Sequence, residues 1–108
     1  MEYTIEQLIG MLPEAFIPEN AAGVDADIQL HFTGEDGGDY AVRIHDQMLS
    51  TLVGTVEDPN LEVHVSAQDV IDIANRRLDP MRAFMAGKIK MTGDMRRAMS
   101  LISLFRMP

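Results

Sequence analysis

The sequence predicts an α+β fold in which helices pack on one face of a five-stranded, mostly antiparallel sheet. Apolar residues recur at helical spacing near the start of the chain and again in its last third. Between these regions, and once more within the last third, apolar and polar residues alternate as they do in half-buried strands. Strands grouped apart from helices are typical of the α+β class. A chain of 108 residues is expected to form one domain, which we place over residues 1–108.

The first element is expected to be a helix, because apolar residues lie three or four positions apart from residue 5 to residue 16. Thr4 and Gln7 form the pattern of a capping box that would start it. Pro13 is expected to break or kink this helix near Leu12, since proline lacks the backbone N–H of the helical hydrogen bond. A short turn is expected next, and Gly23 would end it.

Four segments then alternate between apolar and polar residues, and we predict a strand in each: residues 27–32, 40–45, 48–56 and 61–66. Gly54 is a candidate bulge in the third of these strands. The sequence Glu-Asp-Pro-Asn before the fourth strand is typical of a turn. Short connections between successive strands predict an antiparallel meander with one buried face.

Helical spacing returns after the fourth strand, where Ser66 and Asp69 form a capping pattern. Asp79 and Pro80 then suit the N-cap and first position of a short helix. Gly87 is expected to end that helix.

A fifth strand and a last helix complete the predicted order. Residues 88–92 alternate as a strand, and because this strand follows a long helical stretch it can join the sheet at an edge that the meander leaves open. A helix is expected after Asp94. Its apolar face is expected to comprise Met95, Ala98, Met99, Ile102 and Phe105, and Leu101 and Leu104 widen that face.

Charge is divided unevenly along the chain. The net charge of −8 is the balance of −14 in residues 1–75 and +6 in residues 76–108. An acidic chain lacks the basic surface that general nucleic-acid binding needs, so we expect no nucleic-acid partner. The basic last third leaves two interpretations open, a transient contact with an anionic membrane surface or a face that is simply hydrated.

Composition excludes several other classes. The chain is 46% apolar and 24% charged, which argues against disorder. It has no cysteine, so disulfides, thiol nucleophiles and cysteine metal sites are excluded. The first residues lack the basic start and apolar stretch of a secretory signal, and the end, Arg106-Met107-Pro108, lacks a Ser-Lys-Leu type peroxisomal address. We therefore expect a small stand-alone cytoplasmic protein.

Three histidines raise the question of a metal site. His31, His45 and His64 lie at polar positions of three different predicted strands. If the register brought them together, the three imidazoles would suit a catalytic zinc ion. Histidines on the hydrated face of a sheet need no metal, and we expect no metal site here.

Motifs of the common catalytic classes are absent. The sequence contains no Gly-x-Ser-x-Gly elbow, no phosphate-binding loop of the Walker type and no Gly-x-Gly-x-x-Gly. Acidic residues lie at turns and helix starts rather than inside apolar stripes, so no pair of carboxylates suited to acid–base catalysis is indicated. We expect no catalytic residue, no cofactor and no enzymatic activity.

Methionine is unusually abundant and is concentrated near the end of the chain. There are nine methionines, and six of them lie in the last 28 residues. Because methionine is unbranched and polarizable, it fills irregular gaps and re-packs around ligands of differing shape. These residues are either flexible parts of a core or the wall of an adaptable apolar pocket.

The segment from Asp79 to Met95 reads DPMRAFMAGKIKMTGDM and continues through Ala98-Met99 to Leu104-Phe105. It contains an Ala-Phe pair, a Gly-Lys-apolar-Lys strand, a Gly-Asp helix start and an apolar final helix. In these features it closely resembles the signature of the sterol carrier protein type 2 family. The signature covers about a quarter of the chain, and the order of the other elements agrees with the family fold.

The resemblance implies a non-enzymatic domain that binds a lipid in an apolar tunnel between the sheet and the helices. The ligand classes it implies are sterols, fatty acids, acyl-CoA and phospholipids. One departure is Tyr40, which lies near the point where family members commonly have tryptophan. The residues expected to line the cavity come from the short helix, the fifth strand and the last helix: Phe84, Met85, Ile89, Met91, Met95, Met99, Ile102 and Phe105.

Two further expectations concern the ligand's charge and a competing role. The basic charge and the proposed pocket lie in the same segment of the chain, which favours an anionic amphiphile over a neutral sterol as the ligand. A basic residue at the mouth of the cavity would contact the anionic head group, and the candidates are Lys88, Arg96, Arg97 and Arg106. The alternative function is a structural or oligomerisation module, such as a homodimer. Its exposed apolar patch would comprise Leu101, Leu104, Phe105 and Met107.

Overall fold

The computed structural model describes residues 3–106, apart from the side chain of Ile102. Four helices, a short 3-10 turn and five strands follow one another along the chain: α1 (Ile5–Ala15), the turn (Pro18–Ala21), β1 (Ala26–Thr33), β2 (Gly38–His45), β3 (Met48–Val53), β4 (Leu61–Ser66), α2 (Ala67–Ala74), α3 (Pro80–Met85), β5 (Lys90–Gly93) and α4 (Met95–Ile102). The predicted α+β class and the five-stranded, mostly antiparallel sheet are confirmed. Within residues 3–106, no helix has the length and apolar character needed to cross a membrane.

The strand order is β3-β2-β1-β4-β5. The predicted meander is right for β1, β2 and β3, which pair antiparallel. It is wrong for β4, which pairs parallel with β1. β5 pairs antiparallel with the free edge of β4, as expected for a strand that arrives late.

The connection between β3 and β4 explains the error. Residues 54–60 carry the chain from one edge of the sheet past β2 and β1. The three strand spacings involved, each about 4.8 Å, are within the reach of seven residues. A short connection therefore does not require neighbouring strands.

Gln29 holds this crossover against the sheet face that points away from the helices. Its side-chain amide donates to the carbonyl oxygens of Tyr40 (3.1 Å) and Gly54 (2.9 Å), and its Oε1 accepts the backbone N–H of Val56 (2.8 Å). Only 1% of Gln29 is exposed. Three hydrogen bonds satisfy a buried amide that would otherwise be costly. The amide thereby fixes the path of the chain between β3 and β4.

The core lies between the other sheet face and the helices. Small and branched apolar residues of β1, β2 and β4 pack there against α1, the 3-10 turn and α4, forming the main core cluster: Phe16, Ala21, Ala26, Ile28, Val42, Ile44, Leu61, Ala98, Leu101 and Leu104. A smaller cluster joins α1 to α2 and to the far end of the sheet: Ile5, Ala67 and Ile71, with Leu8, Ile9, Phe32, Tyr40 and Val70 partly buried against them.

Helix starts follow the sequence predictions closely. In the capping box of α1, Thr4 Oγ1 accepts the N–H of Gln7 (3.1 Å) and Gln7 Oε1 accepts that of Thr4 (2.9 Å). Side chains of Ser66, Asp79 and Asp94 cap the other three helices.

Several boundaries differ from expectation, including the start of β2, which lies at Gly38 rather than at Tyr40. The helix α1 continues through Pro13 to Ala15, and the N–H of Phe16 still bonds to the carbonyl of Leu12 (3.0 Å), because proline removes only its own N–H near a helix end. β3 ends at Val53, so Gly54 follows the strand rather than forming a bulge in it. β5 begins two residues later than predicted.

Candidate functional site

A surface cleft of about 310 Å³ lies between α4 and the chain just before β1. Its apolar floor is formed by Val24, Leu101 and Leu104. Leu101 and Leu104 are buried in the main core cluster and Val24 packs against it, so the floor of the cleft is continuous with the core. The rim is polar and is formed by Gly23, Asp94, Arg96, Arg97 and Ser100.

Two arginines of α4 face this apolar floor. The Arg97 Nη1 donates to the carbonyl oxygen of Asp25 (2.9 Å), which fixes the side chain across the cleft. In the described part of the chain, the guanidinium of Arg96 makes no hydrogen bond or ion pair. The carboxylate of Asp94 also lies on the rim, where it accepts the backbone N–H groups of Arg96 (3.1 Å) and Arg97 (3.2 Å) as the helix cap and lies 3.9 Å from Arg97 Nε. The rim is therefore net positive, and it carries a donor that is available to an anion.

Two further clefts lie along α1 and have the opposite charge. One has a volume of about 520 Å³ and is bordered by Glu6, Glu35 and Asp36. The other has a volume of about 400 Å³ and lies between α1 and β3. Glu6 and Tyr40 line both clefts, so they are neighbours. Carboxylates at the rim disfavour an anionic ligand, since like charges repel.

The polar face of the sheet brings two of the three histidines together. His31 and His64 are partners on β1 and β4, and their stacked rings lie 4.4 Å apart between centroids. His45 lies at the far end of β2, where its ring nitrogens contact Asp25 (3.2 Å) and Asp27 (2.9 Å). The arrangement of three imidazoles considered from the sequence is therefore not formed.

Carboxylates perturb the pKa of two of these histidines. Hydrogen bonding to Asp39 raises the pKa of His31, and hydrogen bonding to Asp27 raises that of His45. The bond from His45 in turn lowers the pKa of Asp27, which Arg43 also contacts (3.0 Å). In both cases the charged form of the ring is the one that the neighbouring carboxylate stabilises.

The order of elements and the sheet topology agree with one known family. Residues 6–106 match the model of the SCP-2 sterol transfer family. The chain belongs to this family. In sequence it is 25% identical over 101 residues to hydroxysteroid dehydrogenase-like protein 2 of Bos taurus. That match covers 93% of this chain but only 24% of the bovine protein.

Solved structures share the SCP-2 fold with this chain. The stereoselective inverting sec-alkylsulfatase of a Pseudomonas species superposes with a TM-score of 0.79 at 21% identity, over 98% of this chain and 17% of the sulfatase. Palmitated SCP2L2 from Aedes aegypti superposes with a TM-score of 0.68 at 21% identity, over 92% of this chain and 91% of the mosquito protein. The chain therefore matches one part of some larger proteins and nearly all of a small one.

Of the eight residues expected to line the SCP-2 lipid cavity, seven have described side chains, and these fall into two groups. Half-buried are Ile89, Met91 and Phe105, of which Met91 and Phe105 pack against the main core cluster. Exposed are Phe84, Met85, Met95 and Met99. The side chain of Ile102 lies outside the described structure, and the three clefts above are lined by other residues.

The apolar face of α4 is rotated from the one expected. Ala98, Leu101 and Leu104 are buried, whereas 72% of Met99 is exposed. The proposed exposed patch for an oligomerisation module is therefore wrong for Leu101 and Leu104; Phe105 is half-buried and Met107 lies outside the described residues. Ala98, Leu101 and Leu104 belong to the main core cluster, so this side of α4 and of the turn after it faces the sheet.

The exposed apolar residues of this family member instead belong largely to α3 and α4. In α3 only Ala83 is buried, and Met81, Phe84 and Met85 face solvent. Of these, Phe84 and Met85 were expected to line the cavity. Gly23 and Val24, which complete the cleft from the other side, were not among the expected site residues. A glycine and a valine in a connection carry no distinctive signal, so this part of the site depended on the folded arrangement.

Proposed function

We propose that residues 1–108 form one non-enzymatic domain that binds an anionic amphiphile of the fatty-acid class in the cleft beside α4. The observation that supports this proposal is the combination of an apolar floor with two guanidinium groups at the rim. Ligand sites typically combine an apolar lining with a few polar groups, in volumes of about 300–1,000 Å³. The cleft lies at the lower end of that range, at about 310 Å³.

The acyl chain would supply most of the affinity. Burying one CH₂ group stabilises a complex by about 0.8 kcal/mol, so eight buried methylenes contribute about 6 kcal/mol before the cost of association. An ion pair at an exposed rim contributes far less, about 1 kcal/mol or below, because water screens it. The arginines would therefore select the head group, while Val24, Leu101 and Leu104 hold the chain.

Beyond the cleft, the acyl chain of the ligand would extend toward half-buried side chains of the sheet and helices. Leu30, Val63 and Met91 are partly buried against the main core cluster on the sheet side, and Phe105 is partly buried on the helix side. Methionine adapts its shape at low cost, so Met91 is suited to move when a ligand enters. The other predicted lining residues of α3, β5 and α4 would complete the apolar wall.

The comparisons support a lipid ligand without identifying it. The family is described as one of sterol transfer, and the mosquito protein SCP2L2 was solved in a palmitated form. The arginines at the rim favour an ionised head group over the neutral hydroxyl of a sterol. Palmitate is therefore the first ligand to test and cholesterol the first competitor.

Lipid exchange would take place at an anionic membrane surface. The helix α3 exposes Met81, Phe84 and Met85, and 80% of Met85 is accessible. The same third of the chain carries the excess of basic residues, which is +6 over residues 76–108. Apolar side chains beside basic ones suit the boundary between head groups and acyl chains.

Binding of a fluorescent long-chain fatty acid tests the site with paired variants. Arg96→Gln should weaken binding by about 1 kcal/mol, roughly fivefold, whereas Arg82→Gln on α3 should not change it. Ser100→Trp should block the cleft with its indole, and Ser50→Trp, on the exposed edge strand β3, is the matched control.

Palmitate should displace the fluorescent probe more readily than cholesterol. Equal effects of the cleft variants and their controls would contradict the proposed location. Cholesterol displacing the probe better than palmitate would contradict the proposed ligand class.

A further inference from the structure

We propose that a divalent transition-metal ion such as Zn²⁺ binds on the polar face of the sheet, held by His31, Glu62 and His64. One ligand atom from each of these residues, a ring nitrogen or a carboxylate oxygen, lies within 4.8 Å of the other two. The site is separate from the lipid cleft, which lies on the helical side of the domain.

Strand register places the three side chains together. His31 of β1 and His64 of β4 are partners in the parallel ladder, and Glu62 lies two residues before His64, on the same face. The histidine rings stack at 4.4 Å between centroids with an angle of 15° between their planes. Side chains two residues apart on one strand lie on the same face, and partners on neighbouring strands lie side by side, so the backbone itself holds these three side chains close together.

The contacts of His31 place two potential ligand atoms beside each other, its own Nε2 and the facing Oε1 of Glu62. Its Nδ1 lies 2.8 Å from Asp39 Oδ1, and its Nε2 lies 3.3 Å from Glu62 Oε1. A neutral imidazole has only one N–H, so it can donate to only one of these carboxylates. With the proton on Nδ1, the lone pair of Nε2 faces a carboxylate oxygen, and a metal ion between them satisfies both.

Asp39 would then play the supporting role common at metal-binding histidines. A carboxylate that accepts the far N–H of a ligating imidazole fixes the tautomer and the ring orientation, and it makes the ring a better ligand. The bond of 2.8 Å from His31 Nδ1 already has this geometry. A proton on Nε2 is the competitor of the metal.

Two imidazoles and one carboxylate suit zinc, copper or nickel better than magnesium or calcium, which prefer oxygen ligands. Zinc lies about 2.0–2.2 Å from nitrogen and oxygen ligands, so the three donor atoms must come closer together. Because the lone pair of a ring nitrogen lies in the ring plane, the stacked rings of His31 and His64 must also rotate out of their parallel arrangement to reach one ion. His64 is exposed and 41% of the Glu62 side chain is accessible, so both can rotate. The bound ion would join β1 to β4, which pair in parallel.

Calorimetric titration of tag-free protein with ZnCl₂ near neutral pH tests the site. Wild type should bind one ion, and His64→Ala and Glu62→Gln should abolish that binding. Asp39→Asn should weaken it by about tenfold, the usual effect of losing a supporting carboxylate. His45→Ala is the matched control, because His45 also contacts two carboxylates, Asp25 and Asp27, and it should bind zinc as wild type does.

Thermal unfolding provides a second readout of the same site. Zinc should raise the Tm of wild type and of His45→Ala but not that of His64→Ala, because an ion that binds only the folded state stabilises it. Undiminished zinc binding by His64→Ala, or an equal loss in His45→Ala, would overturn the proposal. Absence of any heat with wild type would overturn it as well.

Discussion

Replacing Gln29 by leucine should destabilise the fold more than the same replacement at any other glutamine of the chain. The side chain makes three hydrogen bonds, to Tyr40 O, Gly54 O and Val56 N, and it is almost fully buried. Each bond contributes about 1 kcal/mol, and leucine would leave two carbonyls and one N–H without that partner. For three bonds, we expect a loss of about 3 kcal/mol in the free energy of unfolding. The loss should not be much larger, because some of the groups left without a partner lie near the surface and can bond to water.

Urea denaturation followed by circular dichroism measures this loss directly. In a domain of this size, a change of about 3 kcal/mol corresponds to a fall in Tm of roughly 12–24 °C. Gln68→Leu is the matched control, since Gln68 is exposed and makes one bond, to Asp72 (3.0 Å). A loss below about 1 kcal/mol for Gln29→Leu, or one equal to the control, would show that the amide does not anchor the crossover.

Two further predictions concern glycines and pH. Gly93→Ala should destabilise the fold, because a Cβ there would lie 2.5 Å from Asn60 O at a φ of +119°. Gly10→Ala in α1 should instead stabilise it by about 0.5–1 kcal/mol. The urea midpoint should therefore fall in the first variant and rise in the second. Stability should fall as pH rises above about 6.5, because His45 has a raised pKa in the folded state and its bond to Asp27 is fully present only below the unfolded pKa. In His45→Gln that part of the pH dependence should disappear, and NMR titration of Asp27→Asn should show the pKa of His45 moving back down. An unchanged pKa in Asp27→Asn would contradict the assigned cause.

Local patterns in the sequence predicted the elements well, because caps and alternation act over a few residues. The capping box of Thr4 and the cap of Asp94 both form as expected. The pairing of β4 with β1 was missed, because it depends on Gln29 and a crossover that are far apart in sequence. Gln29 lies at a polar position of a predicted half-buried strand, and in the structure it is buried beneath the crossover to which it bonds.

In the candidate site, too, local features could be predicted from the sequence and the packing of distant residues could not. The basic charge of Arg96 and Arg97 and the apolar character of α4 were visible in the sequence. The rotation of α4 was not, since spacing alone does not say which edge of its apolar stripe packs inward, and the structure buries Leu101 while it exposes Met99. His31 and His64 were correctly placed on the polar face, but their pairing depended on a parallel register that alternation does not reveal.

NMR titration of ¹⁵N-labelled protein with palmitate tests the central claim most directly, because it reports both binding and location. The account predicts that the largest shifts of backbone amides occur around the cleft beside α4, at Val24, Arg96 and Ser100. Shifts confined to the α1 clefts, at Glu6, Tyr40 and Thr51, or no shifts at saturating palmitate, would contradict it.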